Sequence, residues 1–546
     1  MEKKLRAIDL YSGIGGWSLG LHMSGIEVVS SYEWWNKAAR TNEKNNGHRA
    51  NEVNIRELNI EHLPSDIDIV VGSPPCTQFS FANRGGRGDI EDGLRDVEKF
   101  LEIVDHLEPK YWAMENVPRT AEIIRARLQS GGNLKKFSKL HPNIFILDMS
   151  EWGLPQARKR CIIGNFNFGL LYDYRNITKA RTLRTVIEAL NGSTIFDPIY
   201  GTRLSRSKLT DHLVEDYLSV EERRINDEMK THHPVYNNMS FPDLLDRASR
   251  TITATCTRVS RESVVIEDPD SPGRFRRLSV RERGCLQGFP VTYQFYGDSY
   301  AEKLKMIGNA VPPLMTFYIA QAMLERRADD VLAPREAIKT FQSPMEEPPL
   351  TFPDKAGSLY PPTRKFRLAI PGLRFKSGVR FELTNAHSGD EVNWEVSFFF
   401  GDSKNIQRVP LDSDLLTTLR SHPGLIKFRR PIDLVVEAVR HSLFKTSTRE
   451  LQDVWTHASR KGMHPFEIVD RLGMLASDLE QSIEGEQVNA STILQILLAD
   501  QERGVTKILR HSKSVLAGLI VGAAANAVFQ DEIFLSLSRA RKARAN

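Results

Sequence analysis

One cysteine of the sequence lies at a position that suits a catalytic nucleophile. Cys76 follows the apolar run 67–71, and Pro74 and Pro75 stiffen the chain that approaches it. A cysteine just beyond the carboxyl end of a strand lies in the crevice where open α/β sheets bind ligands, and its thiolate can attack an electrophilic carbon. The pattern predicts covalent catalysis by Cys76; the alternative is a buried structural thiol, the usual fate of a free cysteine.

A carboxylate and two arginines are placed to assist such a nucleophile. Glu115 and Asn116 end another predicted strand, so they are expected at the same edge of the sheet as Cys76. A carboxyl group there can donate or share a proton with a heterocycle. Arg158 and Arg160 precede a further strand, and strand alternation puts them on one side, where one or both would face a substrate. The alternative for the arginines is a solvated basic edge.

The first strand ends in a glycine-rich turn that favours a bound ligand. In the turn 9–17, Gly13 and Gly15 let the backbone bend tightly and approach a ligand before a helix begins. Ser18 stands where a dinucleotide fingerprint requires glycine, so a nicotinamide cofactor fits poorly. Glu33, at the end of the next strand, is placed to accept hydrogen bonds from ribose hydroxyls; a surface glutamate is the alternative.

Alternating strands and helices must position these groups, and the sequence provides them between residue 5 and about residue 165. Helical patterns separate six short, β-branched runs, which are LRAIDLY, IEVVSSYE, IDIVVGS, YWAMENV, NIFILDM and RCIIGNF. This alternation predicts a parallel, doubly wound α/β sheet.

The rest of the chain divides by composition. An irregular, arginine-rich stretch predicts a smaller second domain, helical spacing returns at residues 301–325, and six prolines in residues 344–362 predict a linker. In the last part, a run of strand alternation precedes helical patterns, which predicts an additional α+β domain. The expected domains are 1–175 (completed by 296–330), 176–295, a linker at 331–365, and a C-terminal domain of unknown role at 366–546.

Composition narrows the class of protein. A chain of 546 residues predicts two or three domains, and a net charge of +5 is only a mild bias towards polyanions. The four cysteines form no CxxC pair, which argues against a metal site or a disulfide framework and favours a reducing cytoplasm. The longest apolar run, 515–529, is interrupted by Asn526 and is shorter than the roughly 18 residues of a membrane span, so a buried helix and no membrane are expected.

Six segments in order make the sequence similar to the cytosine-5 DNA methyltransferase family across residues 5–325. They are DLYSGIGGWSLGL, GSPPCTQFS, ENV, QARKR, RRLSVRERGCLQGFP and GNAVPP. The resemblance implies a Rossmann-like domain that holds S-adenosylmethionine, a small target-recognition domain, and a cleft for double-stranded DNA. It also implies metal-free methyl transfer to carbon 5 of a cytosine flipped out of a specific duplex sequence.

By position, the resemblance gives each site residue a role. Cys76 is implied to be the nucleophile, Glu115 to bind the ring nitrogen and exocyclic amine, and Arg160 to contact the carbonyl oxygen, with support from Arg158 and Asn116. The implied cofactor residues are Asp9, Tyr11, Gly13, Gly15, Trp17, Glu33, Trp34, Asn54, Ile55, Pro74, Asn309 and Val311. Asn54 stands where the family usually offers an acid to the adenine amine, so weaker cofactor affinity is expected.

Two arginine-bearing segments are candidates for DNA contacts. Residues 81–88 combine glycines with Arg84 and Arg87, which predicts a mobile catalytic loop that meets phosphates; a plain solvated loop is the alternative. In the second domain, four arginines flank the uncharged run TITATCT and are expected to bind phosphates or to contact bases in a groove. They are Arg247, Arg250, Arg258 and Arg261.

Two other functions stay open. A branch of the family methylates cytosine in transfer RNA, but the long variable region 191–275 favours duplex DNA. A catalytically inactive DNA-binding scaffold would not need Cys76, Glu115 and Arg160 together. By analogy alone, the additional C-terminal domain suggests a restriction-modification or phage-defence system with partner proteins. We expect the protein to be a monomer and to lie in the cytoplasm, associated with the nucleoid.

Overall fold

A computed structural model describes residues 4–80, 88–232, 238–389, 391–402, 405–443, 447–499 and 505–545. Arg84 and Arg87 of the predicted catalytic loop lie outside the described residues. The chain forms two compact units. The N-terminal unit comprises Met1–Thr231 and Met239–Ala356, and the C-terminal unit comprises His232–Asn238 and Gly357–Asn546.

Seven strands form the central sheet of the N-terminal unit. They are β1 (Arg6–Leu10), β2 (Glu27–Glu33), β3 (Ala50–Glu52), β4 (Ile69–Gly72), β5 (Tyr111–Asn116), β6 (Asn143–Asp148) and β7 (Lys159–Gly164). Their order is β3-β2-β1-β4-β5-β7-β6. The six predicted strands are confirmed, and β3 was not predicted. The expectation of an all-parallel sheet was wrong in one respect, because β7 runs antiparallel to both β5 and β6.

Hydrophobic side chains cover both faces of this sheet. Ala7 and Ile69 pack into one cluster with the helices Gly16–Met23 and Pro313–Met323, whereas their neighbours Ile8 and Val70 pack into another with the helices Ile90–Leu107 and Arg119–Leu128. The doubly wound architecture is thereby confirmed. The helices are α1 (Gly16–Met23), α2 (Asn36–Asn46), α3 (Ile90–Leu107), α4 (Arg119–Leu128), α5 (Phe168–Asp173), α6 (Leu183–Ala189), α7 (Val220–Thr231), α8 (Val280–Leu286), α9 (Tyr300–Asn309), α10 (Pro313–Met323) and α11 (Pro334–Ala337).

The order of the strands creates the crevice in which ligands bind. The chain pairs β1 with β2 on one side and with β4 on the other, so the connections leave the carboxyl ends of β1 and β4 in opposite directions. This is the topological switch point of an open α/β sheet, where ligands bind. The glycine turn follows β1 and the Cys76 loop follows β4, so both predicted sites lie at this point.

Short elements make up the arginine-rich region. Its two small antiparallel pairs are β8 (Thr194–Phe196) with β9 (Arg203–Ser205), and β10 (Val265–Glu267) with β11 (Phe275–Arg277). The helical pattern at 301–325 is divided into α9 and α10 by Ala310 and Pro312, since neither residue has helical geometry. The N-terminal unit continues through Ala356, well into the proline-rich stretch.

The C-terminal unit has the α+β composition expected. Its antiparallel strands, in sequence order, are β12 (Arg367–Arg374), β13 (Arg380–Ser388), β14 (Glu391–Asp402) and β15 (Asn405–Val409). The alternation in β14 gives one buried face, whose apolar side chains are Val392, Trp394, Val396, Phe398 and Phe400. The helices are α12 (Ser413–Ser421), α13 (Arg429–Leu443), α14 (Thr448–Trp455), α15 (Pro465–Gly485), α16 (Ala490–Leu497), α17 (Val505–Leu509) and α18 (Ser512–Ala545).

Helix α18 contains the longest apolar run. By length and composition the window Ser512–Gln530 could cross a membrane, but 83% of it is buried inside the protein. Asn526 explains the polar interruption, because its side-chain amide binds both the N–H and the carbonyl of Val396 and also the carbonyl of Leu411. The amide completes hydrogen bonding at a strand, so the predicted buried helix is confirmed as a core helix of this unit.

Candidate active site

The Cys76 loop is held by the side chain of Asn116. The Asn116 side chain, at the end of β5, donates a hydrogen bond of 3.0 Å to the carbonyl of Pro74. Its own Oδ1 accepts from the backbone N–H of Val117 and the hydroxyl of Thr120, both at 2.9 Å, which fixes the amide orientation. Pro74 is buried, and Cys76 is partly buried. Asn116 therefore positions the approach to the cysteine.

The antiparallel direction of β7 brings an arginine to the same edge. In β5 and β7, Glu115 pairs with Ile162 and Asn116 with Cys161, so the first residues of β7 lie beside the carboxyl end of β5. Arg160 Nε lies 2.9 Å from Glu115 Oε1 in a largely buried ion pair. A parallel β7 would have put Arg160 at the opposite edge.

The Glu115 carboxylate is not saturated by this ion pair. The approach of Arg160 lies outside hydrogen-bond geometry, so Glu115 Oε1 has no hydrogen-bond donor among the described residues. A buried carboxylate oxygen without a donor is costly unless a ligand completes it. The arrangement leaves an acceptor for an N–H group at the edge where Cys76 lies.

The electrostatics of Cys76 have opposing causes. Burial raises the pKa of the Cys76 thiol, and the negative charge of Glu115 raises it further. The positive charges of Arg160 and Arg158 lower it. Carboxylate, thiol and guanidinium groups therefore interact as one cluster, in which the two arginines offset part of the rise in the thiol pKa.

Arg158 lies deeper than the sequence suggested. It is 2% exposed, and its guanidinium donates to the carbonyls of Ile252 (3.3 Å), Gly308 (3.2 Å) and Ala310 (3.1 Å). Burial and the nearby Arg160 lower the pKa of Arg158 to about 9. With these partners the guanidinium ties the segments at Ile252 and at residues 308–310 to its own, whereas the sequence had allowed it to face a substrate.

The glycine turn after β1 is shaped by left-handed backbone and by Glu33. Gly13 and Gly15 have φ of 54° and 86°, values that favour glycine. Glu33 accepts hydrogen bonds from the N–H of Gly13 (2.9 Å) and of Trp35 (2.8 Å), while burial raises the pKa of its carboxyl group. Trp34 next to it is 66% exposed, an unusual exposure for an indole that a planar ligand would relieve.

Space and an unused polar group are present at this turn. A Cβ atom added to Gly13 would meet no other atom within 4 Å. The hydroxyl of Ser12 is buried, and within the described part of the chain it has no hydrogen-bond partner. Ser12 was missed by the sequence reading, although it belongs to the same motif. An open space beside an unpaired hydroxyl and a buried carboxylate fits a polar cofactor.

Other predicted cofactor residues make hydrogen bonds that fix the turn and its neighbours. Asp9 accepts hydrogen bonds from the N–H (3.1 Å) and hydroxyl (2.7 Å) of Ser18, and burial raises the pKa of Asp9 to about 7. The hydroxyl of Tyr11 donates to Asp96, and the indole of Trp17 donates to the Ser73 hydroxyl at 3.0 Å. The last contact links the glycine turn directly to the Cys76 loop.

The remaining predicted cofactor residues are divided between surface and interior. Asn54 is exposed; its oxygen accepts from the N–H of Arg56, and its amide donates to Glu57 at 2.8 Å. Ile55 and Val311 are buried, whereas Asn309 is exposed. A Cβ atom on Gly16 would collide with the carbonyl of Val311, so the segment between α9 and α10 packs directly on the start of α1.

The recognition arginines do not behave alike. Arg258 is 4% exposed, with its guanidinium bound to both carboxylate oxygens of Glu222 at 2.6 and 2.8 Å. Arg250 binds both oxygens of Asp243 at 2.6 and 3.0 Å. The expectation that Arg258 anchors phosphate does not fit this placement, because a phosphate would have to displace buried partners. Arg247 is exposed, and Arg261 is mostly buried beside Glu262.

The uncharged run TITATCT lies against the catalytic part of the unit. The N–H of Ile252 donates to the side chain of Gln156, and the hydroxyl of Thr251 donates to the carbonyl of Ala157, both at 2.9 Å. Gly308 leaves room for the backbone of residues 253–254. Its first residues thus connect the segment 156–157 to Gly308 at the end of α9.

Comparison with known proteins points to one family. The model of C-5 cytosine-specific DNA methylases matches residues 5–325. Type II methyltransferase M.HindV of Haemophilus influenzae is 29% identical over 335 residues, which cover 59% of this chain and 96% of the relative. Type II methyltransferase M.HgiDI of Herpetosiphon aurantiacus is 27% identical over 325 residues, covering 58% and 94%.

The crystal structure of S. pombe Dnmt2 methyltransferase is 17% identical, with a TM-score of 0.43 over 59% of this chain and 99% of that chain. With the family model spanning more than half of its length, the chain belongs to the C-5 cytosine-specific DNA methylase family and is a DNA (cytosine-5)-methyltransferase that uses S-adenosylmethionine.

Proposed function

We propose that Cys76 is the nucleophile of this methyltransferase, that Glu115 and Arg160 hold the target cytosine, and that Asn116 and Arg158 position them. The convergence of the Cys76 thiol, the Glu115 carboxylate and the Arg160 guanidinium at one edge of the sheet carries the proposal. Glu115 Oε1, which lacks a hydrogen-bond donor in the described chain, is a suitable acceptor for the exocyclic amine of cytosine.

The reaction needs these groups because carbon 5 of cytosine is a poor nucleophile. The thiolate of Cys76 adds to carbon 6, and a proton shared with Glu115 at ring nitrogen 3 prevents negative charge from accumulating on the ring. Arg160 stabilises the carbonyl oxygen as charge develops there. Carbon 5 takes the methyl group, and the electrons of the broken sulfur–methyl bond stay on the sulfur of the donor. Carbon 5 then loses its proton to a base, the bond between carbon 6 and the Cys76 sulfur breaks to release the thiolate, and ring nitrogen 3 returns its proton to Glu115.

We assign S-adenosylmethionine to the glycine turn at the switch point. When bound, it supplies an electrophilic methyl group on a sulfonium centre. Glu33 is placed for the ribose hydroxyls, the exposed ring of Trp34 for the adenine, and the unpaired hydroxyl of Ser12 for a polar group of the cofactor. Asp9, Tyr11, Trp17 and Val311 support the backbone of the turn. Pro74, Asn54, Ile55 and Asn309 remain candidates at its border.

The target is proposed to be a cytosine within a specific duplex sequence. The base must be flipped out of the stack at a cost of a few kcal/mol, which backbone contacts offset. Exposed Arg247 is the recognition arginine best placed for such a contact. Because the relatives M.HindV and M.HgiDI are named type II methyltransferases, we further propose a role in restriction-modification, acting on DNA at the nucleoid as a monomer, with defence proteins as partners.

The test compares substrates directly. Purified enzyme with radiolabelled cofactor should methylate duplex DNA and leave transfer RNA unlabelled, and bisulfite sequencing of DNA from expressing cells should reveal one recurring sequence around the modified cytosine. Labelling of transfer RNA alone would favour the transfer RNA branch. No labelling of either substrate, with cofactor bound, would favour an inactive DNA-binding scaffold.

A further inference from the structure

The glycine turn accepts a hydrogen bond from a buried tyrosine that is distant in the sequence. Tyr293 is fully buried, and its hydroxyl donates a hydrogen bond to the carbonyl oxygen of Ile14, in the middle of the turn. Asn46 of α2 donates to the Tyr293 hydroxyl at 3.2 Å and to Asn42 Oδ1 at 2.8 Å. A Cβ atom on Gly15 would collide with both asparagine side chains. The turn therefore packs closely against α2 and Tyr293.

Tyr293 belongs to a segment that is fixed on α2. The amide side chain of Asn45 exchanges two hydrogen bonds with the backbone of Gln294, at 2.8 and 2.9 Å. The N–H of Tyr296 donates to the hydroxyl of Thr41 at 3.2 Å. Three side chains of one helix thus determine where the Tyr293 hydroxyl lies, and this leaves it little freedom to follow the turn if the turn moves.

Residues 341–346, here called the strap, restrain the same segment from the other side. The ring of Phe341 is stacked on that of Tyr293, with centroids 5.9 Å apart and an interplanar angle of 13°. The Glu346 carboxylate forms ion pairs with Arg40 and Lys44 of α2, and its carbonyl accepts a hydrogen bond of 2.7 Å from Tyr296. The strap lies beyond residue 325, where the match to the family model ends.

We propose that Tyr293 is a positioning residue for S-adenosylmethionine, which holds the glycine turn in its binding conformation through Ile14, and that the strap maintains Tyr293 through Phe341. Left-handed residues such as Gly13 and Gly15 lose much conformational freedom when a ligand fixes them. A turn that is already held before binding avoids much of this loss, and cofactor affinity increases. The inference rests on the proposed cofactor site at this turn.

The test uses the full-length enzyme with one hydroxyl removed. Tyr293→Phe keeps the ring and its stacking partner, and it removes the hydroxyl that donates to Ile14 and accepts from Asn46, which keeps its hydrogen bond to Asn42. The matched control is Tyr174→Phe, because Tyr174 is also buried and donates to a backbone carbonyl, that of Arg326, at 2.6 Å. Calorimetry with S-adenosylmethionine and S-adenosylhomocysteine measures affinity, and hydrogen exchange of the amides of residues 12–16 measures the order of the turn.

Tyr293→Phe should weaken the binding of both ligands about tenfold, which corresponds to the loss of one hydrogen bond of about 1.4 kcal/mol. It should accelerate exchange in the turn and raise the KM for the cofactor while kcat at saturation stays unchanged. Phe341→Leu should weaken binding about threefold through looser restraint of the ring, less than the loss of the hydrogen bond. Tyr174→Phe should leave affinity unchanged.

Two results would overturn the inference. One is unchanged affinity in a folded Tyr293→Phe variant, and the other is an equal loss in Tyr174→Phe, which would indicate general destabilisation. Glu33→Gln in the same assay separates this failure from failure of the proposed cofactor site. If Glu33→Gln weakens binding and Tyr293→Phe does not, only the positioning role is excluded. If neither variant changes affinity, the cofactor does not bind at this turn.

Discussion

The two sides of the switch point are built differently. On the side of Cys76, Asn116 and Arg158 bind backbone carbonyls, but Glu115 Oε1 has no hydrogen-bond donor in the described part of the chain. On the side of the glycine turn, most of the polar side chains bind one another or the backbone; among them are Asp9 to Ser18, Asn46 to Asn42, and Tyr293 to Ile14. The first region keeps its carboxylate available, and the second uses most of its polar side chains to maintain the shape of the turn, with the Ser12 hydroxyl left unpaired among the described residues.

This difference follows from what each side must do. A group that makes or breaks bonds needs open hydrogen-bonding capacity, which the protein can leave only where a substrate will fill it. A turn that only has to receive a cofactor is improved by every contact that fixes it in advance. Variants on the first side should therefore change chemical rates, and variants on the second should change affinity or stability.

The largest effect is expected for Cys76→Ala. It should abolish methyl transfer and preserve the fold and cofactor binding, because the thiol is needed for addition to carbon 6 and its loss is a small packing change. The control is Cys256→Ala, which removes a buried thiol elsewhere. With DNA that carries 5-fluorocytosine, wild type should form an adduct that survives denaturation, since fluorine blocks the proton loss that precedes release. Methylation by Cys76→Ala near the wild-type rate would contradict the assignment.

Glu115→Gln should lower kcat by about 10²- to 10⁴-fold, the range typical of general acid–base catalysis, and change DNA affinity much less. The reason is that the Glu115 carboxylate interacts most strongly once charge develops on the ring. Single-turnover kinetics at saturating DNA measure the effect. Glu122→Gln, on the exposed surface of α4, is the matched control. A loss confined to DNA affinity would give Glu115 a binding role only.

The pH dependence should expose the coupling between Cys76 and Arg160. Since burial and Glu115 raise the thiol pKa, the thiolate is the minor form below that pKa, and the rate of adduct formation should increase about tenfold per pH unit until the pKa is reached. Arg160 lowers the thiol pKa, so Arg160→Gln should move this rise to higher pH. Alkylation of Cys76 by iodoacetamide across pH checks the direction. A profile that moves to lower pH would exclude this coupling.

Arg158→Gln should affect stability more than chemistry, in contrast to Arg160→Gln. Three buried carbonyls would lose their charged donor, which we expect to lower the free energy of unfolding by about 2–4 kcal/mol. Urea unfolding of both variants at the same pH gives the comparison. Equal stability of the two variants would mean that the backbone segments joined by Arg158 are held by other contacts.

The sequence predicted the sheet well because its central strands are strongly β-branched, but it could not give their directions. β3, with the sequence Ala-Asn-Glu, carries no apolar pattern and exists because it pairs with the edge of β2. The reversed β7 cannot be read from periodicity, since alternation is the same in both directions. Yet this reversal is what brings Arg160 to Glu115.

The site was predicted where motifs are contiguous and missed where partners are distant. Arg158 and Arg160 alternate in sequence, but β7 begins at Lys159, so the alternation of a strand does not extend to Arg158. Arg258 was expected to contact DNA because its ion-pair partner, Glu222, lies 36 residues away and no local sequence pattern indicates the pair. The contact of Tyr293 with Ile14 spans 279 residues. Composition and residue spacing do not predict contacts between residues that are so far apart in the sequence.

The smallest effect is expected at Asn54, on the border of the cofactor turn. The family resemblance predicts that Asn54→Asp tightens S-adenosylmethionine binding through a charge-assisted hydrogen bond to the adenine amine. The structure adds an opposing term, because the Asn54 amide donates to Glu57 and an aspartate there would face a second carboxylate. The cap on the N–H of Arg56 needs only an oxygen, so aspartate should preserve it.

The two terms can be separated by a second substitution. Asn54→Asp alone should change cofactor affinity by less than about threefold, since the gain at adenine and the repulsion from Glu57 are both exposed and of similar size. In a Glu57→Gln background the repulsion is absent, and Asn54→Asp should tighten binding by up to about tenfold, the value of one charge-assisted hydrogen bond. Calorimetry on the four proteins of this cycle measures both terms. If Asn54→Asp leaves affinity unchanged in the Glu57→Gln background, the side chain does not reach the adenine, and the border of the cofactor site lies closer to Trp34.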